Sequence, residues 1–211
     1  MRKHLFTYLI VCFGFSTINA QSFTPITPKS IAQKKINQKL LYAESLFETN
    51  LAQALSIIEE NLLIAIDERY ILEEALAYRI LGDFNYSLTN YNLGLSKYLK
   101  SLKIYEKEKQ SVEVLNLYKK TGETYKALKD YSNALKMYEK ALVKARFFKK
   151  PSKQIEINYW IAEIYYAQGN YVKAKGKFTK ISTETDANFR VDLKIKTLIG
   201  CFDPYKTRVI F

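Results

Sequence analysis

The chain has 211 residues, of which 48% are hydrophobic and 26% charged, a composition that allows a buried core and excludes wholesale disorder. Only 7 residues are glycine and 4 are proline, which favours long helices over a turn-rich β fold. The 33 basic residues outnumber the 21 acidic ones and give a net charge of +12, so an anionic partner is among the candidates.

Residues 1–20 have the layout of a secretory signal peptide. Arg2 and Lys3 come first, the apolar segment LFTYLIVCFGF follows, and small residues precede a predicted cleavage after Ala20. A short buried helix is the alternative interpretation. The apolar segment is shorter than the roughly 20 residues that span a bilayer. We therefore expect a periplasmic or secreted protein with no transmembrane helix in the mature chain.

Loss of this segment changes the chemistry of the mature chain. It removes two basic and no acidic residues, which lowers the net charge from +12 to +10, and it removes His4, the only histidine. Without histidine, neither a Ser-His-Asp nor a Cys-His catalytic unit can form, nor a His-ligated metal site. Cys201 then has no partner for an internal disulfide, and we interpret it as a small buried hydrophobic residue rather than a reactive thiol.

Residues 21–34 are predicted to be a flexible linker. The stretch QSFTPITPKS contains two prolines and several hydroxyl side chains, a composition typical of a tether between a signal and a folded array. The periodic pattern of apolar residues begins only after it.

From residue 35 onward the sequence repeats with a period of 40 residues. The stretch GETYKALKDYSNALKMYEKAL, which starts at Gly122, aligns with stretches that start at Tyr42, Gly82 and Ala162. Large residues recur in each copy at three- to four-residue spacing and predict an amphipathic helix. Asn and Asp are favoured helix N-caps, and one of them precedes each predicted helix, at Asn50, Asn90, Asp130 and Asn170.

A second helix is predicted before each of these, so the repeating unit is a helix hairpin. Small residues recur in both helices of the hairpin, at Gly82, Gly122 and Ala162 and at Gly94, Ala134 and Ala174. We expect the two sets to face each other, because helices approach closely only where one offers little more than backbone. The predicted units are residues 35–74, 75–114, 115–154 and 155–184.

These columns resemble the tetratricopeptide repeat. The copy from Leu115 matches it at Gly122, Tyr125, Tyr131, Ala134, Tyr138 and Ala141. The copy from Ile155 matches at Ala162, Tyr165, Gly169, Tyr171, Ala174 and Phe178, and the two earlier copies match at fewer positions. The resemblance implies an all-α, right-handed solenoid of helix-turn-helix repeats, here in an exported bacterial member with 40 residues per repeat instead of about 34.

Residues 185–211 are predicted to form a terminal capping helix followed by a tail. The stretch ANFRVDLKIKTLIGCF continues the helical pattern until Asp203-Pro204 ends it.

No catalytic, cofactor or metal site is predicted. The sequence contains no Gly-rich phosphate loop, HExxH motif or CxxC motif. Adjacent glutamates such as Glu59-Glu60 would point about 100° apart on a helix and so cannot converge as an acid–base pair. Asp83 and Glu123 occupy equivalent turns of neighbouring repeats, but solvated charges are the favoured interpretation.

The resemblance also implies where a partner binds. In the family, the first helices of successive hairpins line a concave groove that holds an extended peptide or a partner helix. Carried over by position, the groove residues are Lys39, Arg79, Asp83, Tyr86, Asn116, Lys119, Glu123, Lys126, Glu156, Tyr159, Glu163 and Tyr166. Their mixed charges and tyrosines suggest a peptide with both charge signs and an apolar anchor.

The predicted function is an exported, non-enzymatic protein–protein interaction scaffold. The alternative is a sensor module, complete or truncated, of a bacterial histidine kinase or regulator signalling system, whose layout of signal peptide and long tetratricopeptide repeats is similar. A third reading is that the basic residues between Lys97 and Lys109 and between Lys144 and Lys153 bind an anionic polymer. Nucleic acid is not expected, because the tyrosines recur at packing positions and export is predicted.

Overall fold

Residues 27–184 are described by the computed structural model, and they form eight consecutive α-helices with no strand. The helices are α1 (Pro28–Ser45), α2 (Leu51–Asp67), α3 (Ile71–Ser87), α4 (Tyr91–Lys107), α5 (Ser111–Ala127), α6 (Tyr131–Phe147), α7 (Pro151–Ala167) and α8 (Tyr171–Glu184). Each helix packs on its neighbours in sequence, and α1 also contacts α3. The described chain is therefore an all-α solenoid of helix hairpins, as predicted. The predicted signal peptide and the predicted C-terminal helix and tail lie outside the described residues.

The predicted helix starts after the four Asn or Asp residues are confirmed. Helices α2, α4, α6 and α8 each begin at the residue that follows one of them. The side chain of Asn50 accepts the N–H of Gln53, and that of Asp130 accepts the N–H of Asn133, both at 3.1 Å. These bonds satisfy backbone donors that the first turn of a helix leaves free.

The predicted linker is wrong at its C-terminal end, because α1 begins at Pro28. Thr27 caps the helix, and its Oγ1 accepts the N–H of Ser30 at 3.2 Å. Pro28 occupies the first helical position, where a missing N–H costs nothing and the fixed φ suits the helix. Helices α3, α5 and α7 likewise begin four residues before the predicted repeat starts at 75, 115 and 155.

The links between consecutive helices from α2 to α8 are three residues long and share one backbone conformation. The middle residue of each link has a positive φ, at Arg69, Thr89, Lys109, Lys129, Lys149 and Gly169. At the third hairpin, the N–H of Asp130 donates to the carbonyl of Tyr125 and the N–H of Lys129 to that of Lys126, both at 2.9 Å. This is the Schellman pattern, which satisfies the last carbonyls of a helix and needs a left-handed residue.

We expect alanine substitutions at two glycines of the last hairpin to have opposite effects. Gly169 has φ +75°, so Gly169→Ala should destabilise the protein by about 1 kcal/mol. Gly176 lies inside α8 with no atom within 4 Å of an added Cβ, so Gly176→Ala should stabilise it by about 1 kcal/mol. Urea unfolding of both variants measures the two changes. A shift in the same direction for both would contradict the link geometry.

The close contacts in the hairpins are made by glycine against tyrosine as well as by small residues against each other. A Cβ built on Gly122 would lie 2.5 Å from Cε1 of Tyr138, and one on Gly82 would overlap the ring of Tyr98. Both rings are buried. Gly94 lies on the backbone of Gly82, where an added Cβ would be 3.2 Å from the carbonyl oxygen. The glycines of the first helices therefore make room for the aromatic core of the hairpin.

Candidate functional site

A cavity of about 560 Å³ opens on the side of the solenoid formed by the first helices of the hairpins. Its walls come mainly from α1, α3 and α5, and we call the side formed by these helices and α7 the groove face. Four of the twelve predicted groove residues line it, namely Arg79, Asn116, Lys119 and Glu123. The volume is typical of pockets that hold small ligands or single side chains with their neighbours.

Arg79 connects the first two hairpins beside this cavity. Its two terminal nitrogens donate to the two carboxylate oxygens of Glu44 at 2.8 Å each, and Nη1 also donates to Asp83 at 2.7 Å. The bond from Arg79 holds the pKa of Glu44 below its ordinary value of 4.5. A guanidinium suits this bidentate geometry, and the charge-assisted bonds tie α1 to α3.

Asp83 extends the same network to the third hairpin. Its carboxylate accepts hydrogen bonds from Nζ of Lys120 and from the hydroxyl of Tyr98, both at 2.6 Å, in addition to the bond from Arg79. Burial raises the pKa of Tyr98, so the phenol stays protonated and serves as the donor. With three partners from α3, α4 and α5, Asp83 stabilises the walls of the cavity and offers little to a ligand.

Lys119 lies at the centre of a second group of charges. Its Nζ is 4.9 Å from the ring centre of Trp160, 3.8 Å from Glu123 and 3.9 Å from Glu156. Burial raises the pKa of Glu123, and Lys119 opposes that shift. The positive charge of Lys119, predicted to face a partner, is therefore already balanced by carboxylates of the chain itself.

The remaining predicted residues on α3, α5 and α7 contact one another or a tyrosine of the next helix. Lys126 donates to Glu163 at 2.7 Å, and the hydroxyl of Tyr159 donates to the same carboxylate at 2.9 Å. Tyr86 and Tyr166 each pack edge-on against the tyrosine that begins the next helix, Tyr91 and Tyr171. None of these residues lines the 560 Å³ cavity.

Lys39 lies elsewhere. It forms an exposed ion pair of 3.6 Å with Glu60 and lines a separate cavity of about 350 Å³ between α1 and α2. Asn61 at that cavity is fully buried, and its Oδ1 accepts no hydrogen bond from any of residues 27–184. The structure therefore does not bring Lys39 to the other predicted groove residues.

The sequence interpretation missed nine of the thirteen residues that line the cavity. Leu72 and Glu73 line it from the first turn of α3, and Glu113 lines it from the first turn of α5. The predicted repeat units begin at residues 75 and 115, after these first helical turns. The residues of the turns were therefore not among the predicted groove residues. The 40-residue column that contains Glu73 and Glu113 was the signal that could have found them.

Two lysines of the predicted basic surface stack on a tyrosine, and a third lysine outside that surface makes a similar contact. Lys97 and Lys100 lie 5.8 and 5.1 Å from the ring centre of Tyr78. In the third hairpin, Nζ of Lys140 on α6 lies 5.8 Å from the ring centre of Tyr118 on α5. A lysine of the second helix thus covers a tyrosine of the first helix, as expected for a packing role that also keeps the ammonium in water.

Residues 27–184 contain neither a membrane-spanning helix nor a cluster of metal ligands. No helix there is both long enough and apolar enough to cross a membrane. In the same residues, no group of three or more His, Cys, Asp or Glu side chains is placed to hold a metal ion.

Comparison with known proteins agrees with this geometry. Residues 73–142 match the family model of the tetratricopeptide repeat. No curated protein matches the sequence. Among solved structures, a Signal Transduction ATPase with Numerous Domains that carries a tetratricopeptide repeat sensor, from Pyrococcus horikoshii, superposes with a TM-score of 0.72 at 18% identity. The match covers 80% of this chain, which spans only 26% of that protein.

Two further structures have the same architecture. A putative kinesin light chain with nearly identical TPR-like repeats, from Podosopora anserina, has a TM-score of 0.67 at 12% identity, over 80% of this chain and 84% of that one. The Rap conjugation gene regulator of the plasmid pLS20, in complex with the Phr* peptide, has a TM-score of 0.57 at 16% identity, over 82% of this chain and 49% of that one. The chain is therefore an all-α solenoid, and its residues 73–142 are similar to the tetratricopeptide repeat.

Proposed function

We propose that the protein is an exported, non-enzymatic scaffold that binds a peptide or a partner helix on its groove face. The observation that carries the proposal is the cavity between α1, α3 and α5, whose walls mix charged and apolar side chains. Leu41 and Leu72 line it with 51% and 40% of their surface exposed, so an apolar partner could cover them. Burial of such leucines stabilises a complex by about 25 cal/mol per Å² of apolar surface.

The rigidity of the face supports binding of an extended partner. The bonds that Arg79 and Asp83 make connect three hairpins, so the walls are in place before any partner arrives. A preformed site loses less conformational freedom on binding and retains more of the contact energy. Tetratricopeptide repeats generally act as interaction scaffolds, and the Rap regulator that shares this architecture was solved with a bound peptide.

The exported location belongs to the same proposal and rests on the layout of residues 1–20. The expected mature N-terminus is Gln21. Sequencing the N-terminus of the protein from the cell envelope tests this, and an intact Met1 would contradict it.

Peptides selected by phage display against the full chain should bind the groove face. Asn116 is exposed on α5 and lines the cavity, so Asn116→Trp should fill the site and weaken binding at least tenfold. Val143 is 63% exposed on α6, which contributes no residue to the cavity, so Val143→Trp is the matched control and should leave binding unchanged. Affinities for the wild type and both variants are compared by fluorescence anisotropy.

Two outcomes would contradict the proposal. Equal binding to the wild type and to Asn116→Trp would remove the cavity from the site. Loss of binding in Val143→Trp alone would move the site to the opposite side of the solenoid. Circular dichroism of both variants checks that each keeps its helical content.

A further inference from the structure

We propose that the cavity of the groove face is a subsite for a cationic side chain, arginine above all, which a bound peptide inserts between Glu73 and Glu113 beside Tyr105. The apolar neighbours of that arginine would lie on Leu72 and Leu76 at the rim. This inference rests on the proposed peptide-binding function and names the chemistry that the groove selects.

The cavity wall carries unpaired negative charge once the ion pairs within the chain are taken into account. Three cations line the cavity, and each already has carboxylate partners within the chain. Arg79 is paired with Glu44 and Asp83, Lys120 with Asp83, and Lys119 with Glu123 and Glu156. Among the described residues, Glu73 and Glu113 are the lining carboxylates without a cation.

Glu73 and Glu113 occupy equivalent places in successive repeats. Each is the third residue of its helix, where the positive end of the helix dipole favours a negative charge. Glu73 is only 8% exposed, and among the described residues its carboxylate accepts one hydrogen bond, from Nε2 of Gln33 at 3.3 Å. A neutral amide at that distance compensates little of the charge, so a positive group from outside would gain a strong interaction.

Tyr105 is a second, independent feature of the cavity that favours a polar ligand. Its side chain is 5% exposed and lines the cavity, and its hydroxyl makes no hydrogen bond to any described residue. Burial raises the pKa of Tyr105 to about 12; Arg79 opposes this rise and Glu113 and Glu73 add to it, so the phenol is neutral and lies near both carboxylates. The phenol belongs to the cavity wall, where a guanidinium donor could bond to its oxygen.

The same geometry disfavours an anion. An anionic group would find Arg79, Lys119 and Lys120 already paired and would face Glu73 and Glu113. Arginine fits better than lysine, because its planar fork can donate to two carboxylates while its face covers an aromatic ring. The leucines at the rim favour an arginine that is part of a peptide with apolar neighbours. Leu72 is 40% exposed, and Leu76 lies beside it in the wall.

The probe is the tripeptide acetyl-Leu-Arg-Leu-amide, compared with the same peptide in which neutral citrulline replaces arginine. Each is titrated against the full chain and followed by NMR chemical shifts. We expect the arginine peptide to bind the wild type at least tenfold more tightly than the citrulline peptide. The difference should disappear in the double variant Glu73→Gln with Glu113→Gln, and Glu113→Gln alone should reduce it if the double variant folds poorly.

Glu139→Gln is the matched control, because Glu139 is exposed on α6 and does not line the cavity. It should keep the full tenfold preference. Equal affinity of the two tripeptides for the wild type, or no binding of either, would overturn the inference. The displayed peptides and the Asn116→Trp variant test the proposed function separately, since groove binding without a preference for arginine would refute only the subsite.

Discussion

Gly122→Ala is expected to destabilise the protein by about 2 kcal/mol, although the same change in an ordinary helix interior stabilises by about 1 kcal/mol. The added Cβ would lie 2.5 Å from Cε1 and 2.8 Å from Cδ1 of Tyr138. That ring is 1% exposed and packs against Trp160 in the central core cluster, so it has little room to move. The overlap must therefore be relieved by separating α5 from α6.

A rescue variant isolates this contact. Tyr138→Leu removes the ring, so Gly122→Ala should cost much less in that background than in the wild type. Urea unfolding of the four proteins forms a double-mutant cycle, and we expect a coupling energy of about 2 kcal/mol. A stabilising effect of Gly122→Ala in the wild type would show that the two helices are not in close contact.

Arg79→Ala is expected to cost about 3 kcal/mol of unfolding free energy. The side chains of Arg79 and Asp83 are only 18% and 14% exposed, and Glu44 receives two bonds from the guanidinium. Removal of the guanidinium leaves the half-buried Glu44 without its ion-pair partner and Asp83 with Lys120 as its remaining cation, which is more costly than loss of a surface pair. Lys39→Ala breaks the exposed pair with Glu60 and is the control, with an expected cost of at most about 0.5 kcal/mol.

The pH dependence of the stability lost in Arg79→Ala tests whether charge is the cause of the loss. The pKa of Glu44 is lowered in the folded state, chiefly by the bond from Arg79. Its stabilising contribution is therefore present above the ordinary value of 4.5 and is lost as the pH falls through the lowered pKa. The stability gap between wild type and Arg79→Ala should be largest at neutral pH and narrow below pH 4.5. A gap that does not change with pH would show that lost packing, rather than charge, is responsible.

Local signals in the sequence were sufficient for the fold. Asn50 and Asp130 predicted helix starts because their side chains complete the first turn, and the structure contains those bonds. The links were less visible, since Lys129 is left-handed although lysine carries no preference for that region. Pro28 contributed to the predicted linker because a stretch rich in proline and hydroxyl residues is typical of a tether, but at the first helical position proline starts a helix.

The candidate site could be predicted only in outline. Position in the repeat located Arg79, Asn116, Lys119 and Glu123, and all four line the cavity. Which charges remain unpaired depends on contacts between residues 37 positions apart on neighbouring first helices, such as Lys120 with Asp83 and Lys126 with Glu163. These depend on side-chain reach across the groove, which a column of the repeat does not contain.

The most direct test of groove binding is to map where a bound peptide lies. A displayed peptide that carries a benzophenone is cross-linked to the full chain, and the modified residues are identified by mass spectrometry. We expect attachment on α1, α3 and α5 around the cavity, at Leu41, Leu72 or Asn116. Attachment confined to α4 and α6, around Leu99 or Val143, would contradict the assignment of the groove face as the binding surface.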